Sequence, residues 1–178
     1  MYHQPPDCPT TCSNPSACRS ISEYLNGKTA FKVSVLEGGT APVRRYNSIG
    51  YDLYPDRDYI IEPNSVAEVK TALRIEIPSL TVENSSINLQ VYGRIAPRSS
   101  LSRHPYLVLA GVIDSDYRGE VIAMIYNLNP AKQLVLKKTS AVAQLILEVA
   151  ITPTLKLVKD DELSITKRGS SGFGSTNN

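Results

Sequence analysis

The segment Ile87-Asn-Leu-Gln-Val-Tyr-Gly-Arg-Ile95 alternates apolar and polar residues without a break. A period of two puts Ile87, Leu89, Val91, Gly93 and Ile95 on one face of an extended chain and Asn88, Gln90, Tyr92 and Arg94 on the other. Such a segment reads as a strand with one buried face. The pattern recurs on both sides of it. Phe31, Val33 and Val35 alternate with Lys32 and Ser34 before Gly38-Gly39, and Leu73, Ile75 and Ile77 alternate with Arg74 and Glu76 before Pro78. Further on, Leu134 and Leu136 flank Val135, Leu145 to Val149 is strongly apolar, and Leu155 and Leu157 flank Lys156 after Pro153. No segment sustains a helical period; Ser99 to His104 allows a turn or two at most before Pro105. The predicted fold class is all-β, as a sandwich, a jelly roll or a barrel.

A chain of 178 residues fits one domain with room for a core, and an apolar fraction of 42% argues against disorder of the whole chain. The formal charge of +2, with no block of Lys and Arg, argues against a nucleic-acid surface, because phosphate neutralisation needs clustered cations. No stretch is apolar for long enough to span a bilayer, and the N-terminus shows no secretory pattern. A soluble intracellular protein, cytoplasmic or nuclear and without a membrane partner, is the expectation. Three cysteines, Cys8, Cys12 and Cys18, lie in the first twenty residues. An odd number is a poor disulfide framework, and their spacing, with His3 nearest, matches no zinc pattern. Residues 1–29 therefore read as a flexible arm rich in Pro, Ser and Thr, with its own unidentified partner. Residues 30–160 form the predicted β domain, and 161–178 a C-terminal arm rich in Gly and Ser.

Three stretches carry the polar chemistry. Gly111-Val-Ile-Asp-Ser-Asp-Tyr-Arg-Gly-Glu120 runs from an apolar pair into two carboxylates, a phenol and a guanidinium, and then into the apolar run Val121 to Tyr126. On its residues alone it is a hairpin with a solvated, salt-bridged tip. Gln144 sits inside an apolar run, either as a core amide bonded to backbone or as a ligand contact. In the tail, Phe173 lies between two glycines after Arg168. Composition makes this a disordered terminus, although glycine N–H groups beside a guanidinium also suit an anion.

Five segments, in order, are similar to those of the trimeric deoxyuridine triphosphatases (dUTPases). They are Ile49-Gly-Tyr-Asp-Leu-Tyr54, Ala96-Pro-Arg-Ser-Ser-Leu101, Ala110-Gly-Val-Ile-Asp-Ser-Asp-Tyr-Arg-Gly119, Ala143-Gln-Leu-Ile146 and Arg168-Gly-Ser-Ser-Gly-Phe-Gly-Ser-Thr176. The resemblance covers residues 30 to 178. It implies a jelly-roll subunit in a threefold homotrimer, hydrolysis of dUTP to dUMP and pyrophosphate, and Mg²⁺ on the phosphates. Each active site would take the first, second and fourth segments from one subunit, the third from a neighbour and the fifth from the remaining tail.

Roles follow from the same resemblance. Asp114 is the expected general base for attack of water on the α-phosphorus. Tyr117 is the ring against the deoxyribose, and Ala110 and Gly111 supply the backbone of the uracil pocket. Ser99 and Ser100 cradle phosphates, with Arg98 bracing their loop and Asp52 pairing with it or touching the metal through water. Gln144 contacts the phosphate chain. Arg168, Gly174, Ser175 and Thr176 clamp the γ-phosphate, and Phe173 stacks over uracil as a lid.

The chain departs from the family pattern in places. Thr139-Ser-Ala-Val-Ala-Gln144 stands where Gly-Asp-Arg-Ile-Ala-Gln is usual, so the turn aspartate and the arginine that would brace Gln144 are absent. Tyr106 to Gly111 is more apolar than the usual pocket turn, Ser171 and Asn177 replace tail glycines, and Ser79 to Asn88 resembles an insertion. Two other readings accompany the hydrolase. One is the related dCTP deaminase; the other is a non-catalytic, nucleotide-gated interaction protein of the same fold.

Overall fold

The computed structural model describes residues 30–78, 89–101 and 103–172. The cysteine-bearing arm, the segment 79–88 and the tail residues Phe173, Gly174, Ser175 and Thr176 lie outside the described residues. Ten strands make up the regular structure: β1 (Lys32–Val35), β2 (Tyr51–Leu53), β3 (Tyr59–Ile61), β4 (Val66–Glu76), β5 (Leu89–Ala96), β6 (Tyr106–Leu109), β7 (Val112–Ile113), β8 (Glu120–Asn127), β9 (Leu134–Leu136) and β10 (Ala143–Ile151). Two short 3₁₀ turns, Ser99–Leu101 and Asp160–Glu162, are the helical elements among the described residues. The all-β prediction holds, and among the described residues no helix is long and apolar enough to cross a membrane.

Two four-stranded sheets, β1-β4-β8-β6 and β2-β10-β5-β7, enclose the core, and a two-stranded ribbon, β3-β9, flanks them. Every pairing is antiparallel. The period of two explains the core directly. In β8, Val121, Ala123 and Ile125 are buried, while the alternate Ile122, Met124 and Tyr126 are half-buried. Leu73 and Ile125 from the first sheet meet Leu53 and Leu145 from the second, all four without exposed surface. Each such side chain contributes about 2 to 3 kcal/mol relative to an exposed one.

β4 is longer than its alternation predicts and carries an irregularity. Its pairing with β8 slips by two residues between Lys70↔Ile122 and Arg74↔Glu120. The even slip preserves which face looks inward, so Val69, Thr71, Leu73 and Ile75 all remain buried. Ala72, at the slip, has φ 53. The buried Thr71 hydroxyl donates to the Val121 carbonyl at 2.6 Å. A second buried polar group, Asn127, donates its amide to the carbonyls of Ile61, Glu62 and Lys132 at 3.0, 3.1 and 2.9 Å, tying the ribbon to the end of β8.

Two sequence expectations change. Val112-Ile113 and the run after Gly119 are not the arms of one hairpin. β7 pairs with β5 in the second sheet, whereas β8 pairs with β4 and β6 in the first, so Asp114 to Gly119 bridges the sheets. Turn residues report that a chain bends but not which strands it then joins. The alternation around Lys156 also forms no strand: Leu155 and Leu157 are 84% and 88% exposed and have no partner strand among the described residues.

On the second sheet, Glu148 stands opposite Tyr92 and beside Arg94. Arg94 donates to its carboxylate at 3.0 Å from Nε and 2.5 Å from Nη2, and the Tyr92 hydroxyl donates at 2.5 Å. The Arg94 bond, then the Tyr92 bond, hold the Glu148 carboxyl down at about 2, against an ordinary 4.5. A folded-state value below the unfolded one stabilises the fold above the unfolded value and loses that effect as pH falls toward about 2. The gap in thermal midpoint between the wild type and Glu148→Gln is therefore expected to be steady at neutral pH and to close between pH 4.5 and about 2; differential scanning calorimetry across that range checks it.

Candidate active site

The bridge between the sheets creates the site. β6 belongs to the first sheet and β7 to the second, and the two residues between them take positive φ, 54 at Ala110 and 114 at Gly111. Gly111 is required twice over. A Cβ there would lie 2.5 Å from the Ile95 carbonyl oxygen, and the Gly111 carbonyl accepts the Ile95 N–H at 2.8 Å. The corner opens a cleft of about 210 Å³ whose lining includes Ala110, Gly111, Asp114, Tyr117, Glu120 and Met124. Apolar walls with a carboxylate and a phenol suit a planar organic ligand with a polar extension.

The turn that follows is closed by the Tyr117 N–H donating to the Asp114 carbonyl at 3.1 Å. Arg118 does not form the salt-bridged tip expected from sequence. Its Nη1 donates to the carbonyls of Ser115 and Tyr117 at 2.8 and 2.9 Å, bracing the turn from inside. Gln90 of β5 donates to the Ser115 hydroxyl at 2.8 Å. The Tyr117 ring folds over Gly119, where no Cβ would fit, and its hydroxyl donates to the Glu120 carbonyl at 3.0 Å. Asp114 stays exposed at the rim.

A second cluster surrounds the loop after β5. Arg98 holds Asp52 through two bonds, Nε to Oδ1 at 2.7 Å and Nη2 to Oδ2 at 3.0 Å, and its Nη1 donates to the Ala141 carbonyl at 3.2 Å. This paired guanidinium sits directly before the Ser99–Leu101 turn, which presents Ser99 and Ser100 at the surface. Gln144 crosses over Gly50, where a side chain would collide with its amide, and donates to the Pro97 carbonyl at 2.8 Å. Its amide therefore bonds to backbone, and the backbone it fixes is that same loop.

Contacts from elsewhere in the fold reach the stretch before Gln144. Asp58 accepts the Lys137 ammonium and the Lys138 N–H, both at 2.8 Å, and these bonds hold its carboxyl below the usual range. The Tyr106 hydroxyl donates to the Val142 carbonyl at 3.2 Å. Arg168 lies apart from both clusters, in an exposed turn where its Nε donates to the Ser171 carbonyl at 2.9 Å.

The sequence and the fold have counterparts among known proteins. The dUTPase family model matches residues 39–177. The chain belongs to the dUTPase family. The deoxyuridine 5'-triphosphate nucleotidohydrolase of Mus musculus is 41% identical, with 93% of this chain and 97% of that protein covered. The protein of that name from Paramecium bursaria Chlorella virus 1 is also 41% identical, covering 80% of this chain and 93% of its own. Among solved structures, the Staphylococcus bacteriophage 80alpha dUTPase with dUPNHPP aligns at a TM-score of 0.67 and 25% identity, over 83% of this chain and 98% of that one. Membership accounts for the fold, a dUTPase jelly roll built from two antiparallel sheets.

The described residues contain no group of three His, Cys, Asp or Glu side chains able to hold a metal ion. Asp52 has each carboxylate oxygen engaged by Arg98. Among the described residues that donor set does not make a protein-held metal centre.

Sequence reasoning gave no role to Asp58, Gln90 or Glu120. Each is a polar residue whose partner lies 25 to 80 positions away in the chain, and no local pattern marks it. Gly111→Ala is expected to destabilise the fold by about 2 kcal/mol or more, from the positive φ and the clash with the Ile95 carbonyl; urea denaturation of the two proteins measures it.

Proposed function

We infer that this chain is a dUTP diphosphatase, hydrolysing dUTP to dUMP and pyrophosphate. The observation that carries the reading is the cleft at the sheet-to-sheet corner, with Asp114 on its rim and Tyr117 folded across it. Main-chain groups at Ala110–Gly111 read the pyrimidine edge, and the Tyr117 ring packs on the sugar where a 2′-hydroxyl would collide. Asp114 takes a proton from water as the water oxygen bonds to the α-phosphorus and the bond to the bridging oxygen breaks, releasing pyrophosphate. Ser99 and Ser100 cradle the phosphates on a loop stiffened by Arg98–Asp52 and by Gln144. Mg²⁺ held mainly by the triphosphate would supply charge neutralisation, and Asp52 is the residue that would contact it indirectly, through water.

A homotrimer completes this arrangement. The cleft lining includes none of Ser99, Gln144 or Arg168, so bringing the two clusters and the tail together calls for neighbouring copies. The segment leaving β10 supports this reading: Leu155, Leu157 and Ile165 are almost fully exposed in the single chain. A surface of that kind is commonly covered by another chain. Arg168, Phe173, Gly174, Ser175 and Thr176 then close over the site as a lid. The role we assign to residues 1–29, with Cys8, Cys12 and Cys18, is engagement of a separate partner. The activity belongs to the intracellular deoxynucleotide pool, where it limits uracil entry into DNA and supplies dUMP.

The altered fourth segment favours a second reading, a nucleotide-gated binding protein without turnover. Bracing by Asp58, Arg98 and Tyr106 weighs against it, because the loop is held despite the missing residues. Pyrophosphate release from dUTP, dCTP, dTTP and UTP with Mg²⁺ tests both. Selective cleavage of dUTP is expected, falling about 10²- to 10⁴-fold in Asp114→Asn; tight binding without release would favour the second reading, and ammonia from dCTP a deaminase.

Truncation after Lys167 is expected to leave an intact trimer by light scattering while turnover falls by about 10²-fold, the scale of loss when a closing lid no longer positions its substrate. Full turnover in the truncated protein would remove the lid role.

A further inference from the structure

Glu120 ends the stretch that carries the catalytic turn, lines the cleft and has no part in the chemistry described above. Its carboxylate Oε1 accepts the N–H of Ala72 at 2.9 Å. That N–H lies at the slip in β4, on a buried residue with φ 53, where the ladder with β8 leaves the β4 backbone out of register. The neighbouring groups of the slip are also satisfied: the Ala72 carbonyl accepts the Leu36 N–H at 2.8 Å, and the Thr71 hydroxyl donates to the Val121 carbonyl at 2.6 Å. The slip is thus a fixed point, locked to the start of β8 by one side chain from each strand.

The backbone carbonyl of the same Glu120 accepts the Tyr117 hydroxyl. Glu120 therefore holds the β4 slip with its side chain and the sugar-facing ring with its main chain. From the other sheet, Gln90 anchors the same turn at Ser115. We propose that Glu120 is a positioning residue that sets the choice of 2′-deoxy over 2′-hydroxy nucleotides, by fixing the carbonyl on which the Tyr117 ring rests. It acts through Tyr117 and touches no reacting atom. A ring a fraction of an ångström further from the sugar leaves room for a hydroxyl, which relaxes selectivity more than it slows dUTP.

The inference rests on the dUTP diphosphatase reading and is separable from it. The measurement is kcat/KM for dUTP and for UTP, with thermal midpoints, in the full-length wild type, Glu120→Gln, Glu120→Ala, Glu120→Met, Tyr117→Phe and Glu120→Ala combined with Tyr117→Phe. Glu120→Gln keeps an acceptor oxygen for the Ala72 N–H and is expected to hold the dUTP-to-UTP ratio within about twofold. Glu120→Ala loses it and is expected to lower the ratio by about tenfold, as a modest displacement in a steric pocket does. Glu120→Met, equal in length but without the acceptor, should match Ala and serves in its place if Ala does not fold. Once Tyr117→Phe has removed the tie, adding Glu120→Ala should lower the ratio little further. Equal loss on dUTP and UTP, tracking the drop in thermal midpoint, would make Glu120 merely structural and overturn the proposal. So would an unchanged ratio in folded Ala or Met variants. A wild type with no preference for dUTP over UTP would instead overturn the parent reading.

Discussion

The chain must pass from one sheet to the other at Ala110–Gly111, and the rest of the structure is built around that crossing. Two consecutive positive φ values turn β6 out of the first sheet and deliver β7 to the second. The Gly111 carbonyl then takes the Ile95 N–H, so the corner is seated on β5 with no space for a side chain between them. A close backbone approach of this kind admits glycine and little else. The cleft lies beside this tightly seated corner, between β7 and the start of β8.

The loops of the two clusters are braced by polar groups bonded to backbone. Arg118, Gln144, Arg98 and Tyr106 each donate to a carbonyl of a loop that would otherwise be held by local turn contacts alone. The bidentate Arg98–Asp52 pair matters for the same reason. An exposed ion pair contributes little, but here the fork is oriented so that its third nitrogen reaches Ala141 and couples three segments. A phosphate-binding loop gains from such bracing, since catalysis of phosphoryl transfer depends mainly on position and charge. Before the fourth segment, Asp58 meets Lys137 and Lys138 from across the fold.

How much was legible beforehand depended on the range of the interaction. Alternation in Ile87–Ile95 and Leu73–Ile77 identified strands, because burial of every second side chain is a local consequence of the pleat. The same rule failed at Leu155–Leu157, where alternation is present and a partner strand is not. Asp114, Tyr117, Arg98 and Ser99 were found through ordered similarity of short segments, which records residue type and order. It did not show that Arg118 turns inward to carbonyls, or that β7 and β8 belong to different sheets.

The sequence by itself determined the all-β class, the alternating core positions and the family. All of these follow from the pleat period or from short stretches of contiguous chain. The tertiary structure alone decided the corner at Gly111, the two-residue slip in β4, the meeting of Asp58 with Lys137 and Lys138 and the contact of Glu120 with Ala72. Each joins residues far apart in the chain through a single hydrogen bond or a close backbone contact, and such contacts leave no periodicity behind. Pairing is set by what the folded core brings within 3 Å, and a linear pattern does not encode that distance.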